Sequence, residues 1–112
     1  PVTAEDFVYS WRRLVDPKTT SPFAWFAALA GIANAQNIID GKAAPETLGV
    51  TAVDAHTLRV QLDKPLPWFS NLTASFAFYP VQKANVDSGA NWTRPGSLVG
   101  NGAYVLKYRV VN

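Results

Sequence analysis

The stretch "LGVTAVDAHTLRVQL" (residues 48–62) decides the architecture, because the spacing of apolar residues changes within it. Before Gly49 they recur every three or four positions, and after it every second one. "VTAV" (50–53) and "TLRVQL" (57–62) read as short strands joined through Asp54-Ala55-His56, a hairpin with a turn longer than two residues. Leu58, Val60 and Leu62 then point one way, and Thr57, Arg59 and Gln61 the other, so one face is buried and the other wet. Helices ahead of a small hairpin predict the α+β class: helices packed on a small, mostly antiparallel sheet.

Upstream, "PVTAEDFVYSWRRLVDP" (1–17) is a fully specified helix. Thr3 is an N-cap, Asp6 stands where a capping box puts its acid, and Val2 and Phe7 hold the two positions of a hydrophobic staple. Phe7, Trp11, Leu14 and Val15 form one stripe over a helix from about Ala4 to Val15. Asp16-Pro17 ends it, since a residue before proline is pushed out of the α region. Ser21-Pro22 restarts a helix, with Ser as N-cap and Pro at the first position. "FAWFAALAGIANAQNIIDG" (23–41) reads as helical, divided at Gly31 and capped at Gly41. A staple sets the angle of an incoming chain, so residues 1–112, one domain by length, are expected to be an internal fragment of a longer protein.

Downstream, "KPLPWFSNLTA" (64–74) begins with prolines and continues as a short helix from Pro67. "SFAFYPV" (75–81) is extended or irregular, and Lys83 to Ser88 form another turn or two of helix ended by Gly89. After the Pro95-Gly96 and Gly100-Asn101-Gly102 turns, "AYVLKYRVV" (103–111) alternates as a last strand.

Composition narrows the chemistry by exclusion. A hydrophobic fraction of 48% with 16% charged residues describes a folded domain. The ten basic residues are scattered from Arg12 to Arg109, and the net charge is +2, so no stripe for nucleic acid exists. The eleven-residue apolar run 23–33 falls short of the roughly 20 needed to span a bilayer. Without cysteine there is neither a disulfide framework nor a thiolate nucleophile. The single histidine, His56, sits beside Asp54 in the hairpin turn, where a polar turn residue is explanation enough. A triad base also needs a positioned nucleophile and an orienting partner. No catalytic group, metal site or cofactor is expected. Gly100-Asn101-Gly102 precedes a strand, whereas a phosphate loop follows one and opens a helix.

Aromatic residues are the one surplus: Phe23, Trp25 and Phe26; Trp68 and Phe69; Phe76, Phe78 and Tyr79. Core packing accounts for most such rings. Phe23 is the best candidate to line a cleft, because a side chain beside a helix start can project past the end of the element.

In order along the whole chain, "PVTAEDFVYSWRRLVDP", "SPFAW", "LGVTAVDAHTLRVQLDKPLPWF" and "NGAYVLKYRVVN" resemble consecutive blocks of the oligopeptide- and dipeptide-binding proteins, the extracytoplasmic solute-binding family that serves ABC transporters. The resemblance implies the extra lobe of a type II periplasmic-binding-protein-like fold. It also implies a periplasmic location, a peptide ligand held between lobes, the remaining lobes of a parent protein as partners, and delivery to the membrane subunits of an oligopeptide permease. The runs "DPKTTSPFAWFAALAGI" (16–32) and "FYPVQKANV" (78–86) resemble members that take the murein tripeptide L-Ala-γ-D-Glu-meso-Dap. Two ligand-approaching positions of the family map onto Phe23 and Ser75, where relatives that take oligopeptides tend to carry Tyr and His. Phe offers apolar contact only, and Ser is too short to replace an imidazole. Capture by lobes that close on a hinge also explains why no proton-transfer pair is needed. From a different class, a self-sufficient interaction module meeting a protein through its aromatic surface stays open as the rival.

Overall fold

The computed structural model describes residues 1–111. Its organising element is helix α1 (Ala4–Val15), which buries Val8, Trp11, Leu14 and Val15 along one stripe. The Asp6 carboxylate accepts from the Thr3 backbone N–H at 2.8 Å and from the Thr3 hydroxyl at 3.2 Å, closing the start of the helix. The Ala4 N–H donates to the carbonyl of Ala55 in the hairpin turn at 3.0 Å, so the helix start is fixed to the sheet. Val2, one half of the expected staple, is exposed. Pro17–Thr19 form a single 3₁₀ turn after the Asp16 stop, and the Asp16 carboxylate accepts from the Lys18 N–H at 2.9 Å.

Helices α2 (Ala24–Leu29) and α3 (Ala35–Ile39) follow and pack on each other and on α1. The division at Gly31 is real: its φ of +72° lies in the left-handed region, and an added Cβ would meet Leu66 Cδ1 at 2.6 Å. The expected start of α2 is corrected. Ser21-Pro22 makes a turn in which Ser21 Oγ accepts from the Phe23 N–H at 3.3 Å, and the helix begins two residues after Pro22 with Phe23 at the N-cap position. A Ser hydroxyl satisfies a local turn as readily as a helix end.

The sheet consists of β1 (Val50–Asp54) and β2 (Thr57–Val60), antiparallel, in the register Val50↔Val60, Thr51↔Arg59, Ala52↔Leu58 and Asp54↔Thr57. A bulge lies between Ala52 and Asp54. The loop is therefore Ala55-His56, two residues rather than the longer turn expected, because Asp54 and Thr57 pair and the bulge absorbs the extra residue. Asp54 Oδ1 accepts from the His56 N–H at 2.8 Å and shapes that turn. Val50, Ala52, Leu58 and Val60 face α1, as the alternation requires.

Residues 31–33 lie beside the end of this hairpin. Ala33 N–H donates to Gln61 O at 2.9 Å, Asp63 N–H to Gly31 O at 2.9 Å, and Gly49 N–H to Ala33 O at 2.9 Å. At Gly49 three backbone segments meet so closely that a Cβ would lie 2.8 Å from both Ala33 Cβ and Gln61 O. Only glycine permits this approach.

Short pieces complete the chain: α4 (Phe69–Leu72), a 3₁₀ turn at Phe76–Phe78, and α5 (Lys83–Asp87). The α4 helix begins two residues later than expected. The buried Asn85 side chain donates to Ser97 O at 2.7 Å and accepts from Val99 N–H at 2.9 Å, holding the 97–99 loop on α5. The expected last strand is not formed. Residues 104–111 carry no strand, and Tyr104 is 94% exposed. A strand is made by hydrogen bonds to a neighbour, and among the described residues none lies beside this segment. No helix among the described residues is long and apolar enough to cross a membrane.

Candidate functional site

The two residues singled out from the sequence lie on separate elements, linked through Phe76, the residue after Ser75. Phe23 occupies the N-cap position of α2, with φ −110° and ψ 8°, and is 40% exposed. Ser75 precedes the 3₁₀ turn, and its Oγ accepts from the Ala77 N–H at 3.4 Å. The ring of Phe76, next to Ser75, meets the ring of Phe23 edge-to-face, with centroids 4.8 Å apart and planes at 88°.

Buried groups on α1 hold this arrangement. In the 3₁₀ turn Phe78 points inward while Phe76 and Tyr79 point outward, as a repeat of three residues dictates. Phe78 lies between Trp11, at 4.8 Å, and Phe26, at 5.3 Å, and is 1% exposed. Trp11 Nε1–H donates to Phe78 O at 3.0 Å. Ser10 Oγ donates to Asp6 O at 2.6 Å and accepts from Val81 N–H at 2.8 Å. The segment 78–81 is thus fastened to α1 by two side chains, and Phe76 is displayed from a fixed support.

The surface so formed is apolar and uncharged. Neither residues 19–39 nor residues 65–82 include Asp, Glu, Lys or Arg. The Ser75 hydroxyl uses one acceptor site for Ala77 and retains a donor, so this face offers ring contact and one hydrogen bond. The perturbed titrations lie elsewhere. A hydrogen bond from Gln36, then the Lys42 ammonium, hold the Asp40 carboxyl below its ordinary value. The His56 backbone N–H and the Thr57 side chain do the same for Asp54. Asp87 raises Lys83 on α5. His56 is exposed in its turn. No three metal-ligating side chains cluster among the described residues. Two depressions flank α1, one lined by Val2, Asp6, Val81 and Asn101, the other by Tyr9, Arg12, Glu46 and Lys83. Neither of these two includes Phe23 or Ser75.

Residues 1–112 match the family of bacterial extracellular solute-binding proteins, family 5 Middle, from end to end. The chain belongs to this family. Its members are solute-binding proteins and not enzymes. The chain is 82% identical over all 112 residues to the periplasmic murein peptide-binding protein MppA of Escherichia coli K12, of which it covers 21%. The solved structure of the E. coli murein tripeptide-binding protein MppA superposes with a TM-score of 0.97, over the whole of this chain and 22% of that one. The Haemophilus influenzae OppA structure in complex with the peptide RPPGFSPFR superposes with a TM-score of 0.95 at 43% identity, again over the whole of this chain and 22% of that one. The chain therefore spans about a fifth of the length of the family 5 relatives it matches.

Sequence reading missed Phe76, Trp11 Nε1 and Ser10 as parts of this site's support. The signal for Phe76 was available in "SFAF": a Ser cap followed by aromatics two apart sends one ring in and the other out.

Proposed function

We propose that this chain is one lobe of a longer periplasmic peptide-binding protein that captures the murein tripeptide L-Ala-γ-D-Glu-meso-Dap and delivers it to the membrane subunits of an oligopeptide permease. Phe23 and Ser75 form part of the cleft wall. The observation that carries this reading is the 82% identity with a murein peptide-binding protein over every residue of this chain. The geometry fits a division of labour. This lobe presents rings and one hydroxyl, and the charges of the tripeptide are met by groups from the other lobes. Lobes that close on a hinge bind through contacts made only in the closed state, so a single wall has little affinity.

Calorimetric titration of the tripeptide into the full-length protein and into this chain alone tests the proposal. Binding is expected for the first and almost none for the second. Tight binding by the chain alone contradicts the shared cleft. The rival reading, a self-sufficient interaction module, draws on the exposure of Trp25, Trp68, Phe76 and Tyr79. It gains if these rings, with Phe23, stay uncovered by any other lobe in the full-length protein.

A further inference from the structure

We infer that Phe76 is a positioning residue for the ligand wall: its ring fixes the orientation of the Phe23 ring that meets the peptide. The inference rests on the proposed cleft-wall reading. Phe76 is 62% exposed on this lobe, so burial in the lobe's own core does not explain why it is aromatic. What it touches does. Its ring stands at 88° to that of Phe23, the edge-to-face geometry in which the positive edge of one ring meets the negative face of the other. Phe23 needs such a partner because it sits at a helix end, where no preceding helical turn restricts its χ1 torsion. The partner is itself held. Ser75 caps the 3₁₀ turn, Phe78 is wedged against Trp11 and Phe26, and Trp11 Nε1–H holds the Phe78 carbonyl. An ordered ring loses less freedom when a ligand closes on it, which raises affinity without an added ligand contact.

The test is a double-mutant cycle in the full-length protein, reading the dissociation constant of L-Ala-γ-D-Glu-meso-Dap by calorimetry. Phe23→Ala is expected to weaken binding about tenfold, and Phe76→Ala about three- to tenfold, the worth of one edge-to-face pair. The double variant should bind about as Phe23→Ala does, because Phe76 acts only through Phe23. Phe76→Tyr keeps the ring and should restore near-parental binding. In the unliganded protein, a 4-fluorophenylalanine signal at position 23 should shift when Phe76 is removed, while the melting temperature stays put. If Phe76→Ala lowers the melting temperature, Phe76→Leu repeats the cycle.

The outcomes separate. If Phe23→Ala weakens binding and Phe76→Ala changes it less than about twofold, positioning is overturned and the wall stands. Effects that multiply in the double variant also overturn positioning, since Phe76 then acts on its own. A fluorine shift together with unaltered affinity in Phe23→Ala sinks the wall reading itself, and the inference falls with it.

Discussion

Two apolar segments of this chain meet opposite fates. The helix Ala4–Val15 buries Trp11 at 2% exposure and gathers the sheet, the helices α2 and α3 and the turn 76–78 around itself. Residues 104–111 alternate in the same manner as a strand, yet carry no strand, and Tyr104, Val105, Tyr108, Val110 and Val111 are all exposed. The difference lies in where the hydrogen-bond partners are. A helix satisfies its backbone within one segment and needs neighbours only for its apolar stripe. A strand has no backbone partner of its own. Apolar alternation thus records a capacity to pair, and only the tertiary neighbourhood turns that capacity into structure.

The sharpest way to break this comparison is at Trp11. Trp11→Ala leaves a cavity beside Phe78 and an unpaired carbonyl, and should destabilise the fold by about 3–5 kcal/mol in denaturant unfolding. A near-neutral result would remove α1 as the organising element. Next comes Gly49→Ala, whose Cβ would meet the Gln61 carbonyl and Ala33 Cβ at 2.8 Å. A loss of about 1–3 kcal/mol is expected, and an unchanged midpoint would mean that the junction of 31–33 with the hairpin is looser than drawn.

A smaller effect is expected at the hairpin turn. The Asp54 carboxyl is held below 3.8, its ordinary pKa, chiefly by the His56 N–H. Its contribution is therefore complete above 3.8 and is lost as the pH falls through the lower folded value. Asp54→Asn should lower stability slightly in the neutral region, where the carboxylate's contribution is present, and flatten the acid limb, as thermal melts from neutral to acid pH would record. The smallest effect belongs to the other side of the comparison. In this chain alone, Tyr104→Ala with Tyr108→Ala should alter stability by less than about 0.5 kcal/mol, and a larger loss would show a packed neighbour for the segment.

Legibility in the sequence follows the same division. The bounds of α1, the break at Gly31, the strand pair and the helix ended near Gly89 were all readable, because cap, period and glycine signals agree there. The last strand was misread because alternation marks a capacity to pair, and among the described residues no strand pairs with this segment. The start of α2 was misread because a Ser hydroxyl serves turns and helix ends alike. At the candidate site, the position of Phe23 beside a helix start was readable, and its exposure follows from neither cap nor period. Ser75 and the peptide ligand came only through likeness to a family, since neither spacing nor charge marks them. The bond from Trp11 to Phe78 spans 67 positions, and no local pattern announces it.

The central claim, that this lobe meets a peptide through Phe23 and Ser75, with Phe76 holding the Phe23 ring, is tested most directly by mapping the ligand onto it. In the full-length protein, with this segment isotope-labelled, the murein tripeptide should shift the NMR signals of Phe23, Ser75 and Phe76 most strongly among those of this lobe. Shifts concentrated instead at Tyr9, Arg12, Glu46 and Lys83, in the depression on the other side of α1, would contradict the account.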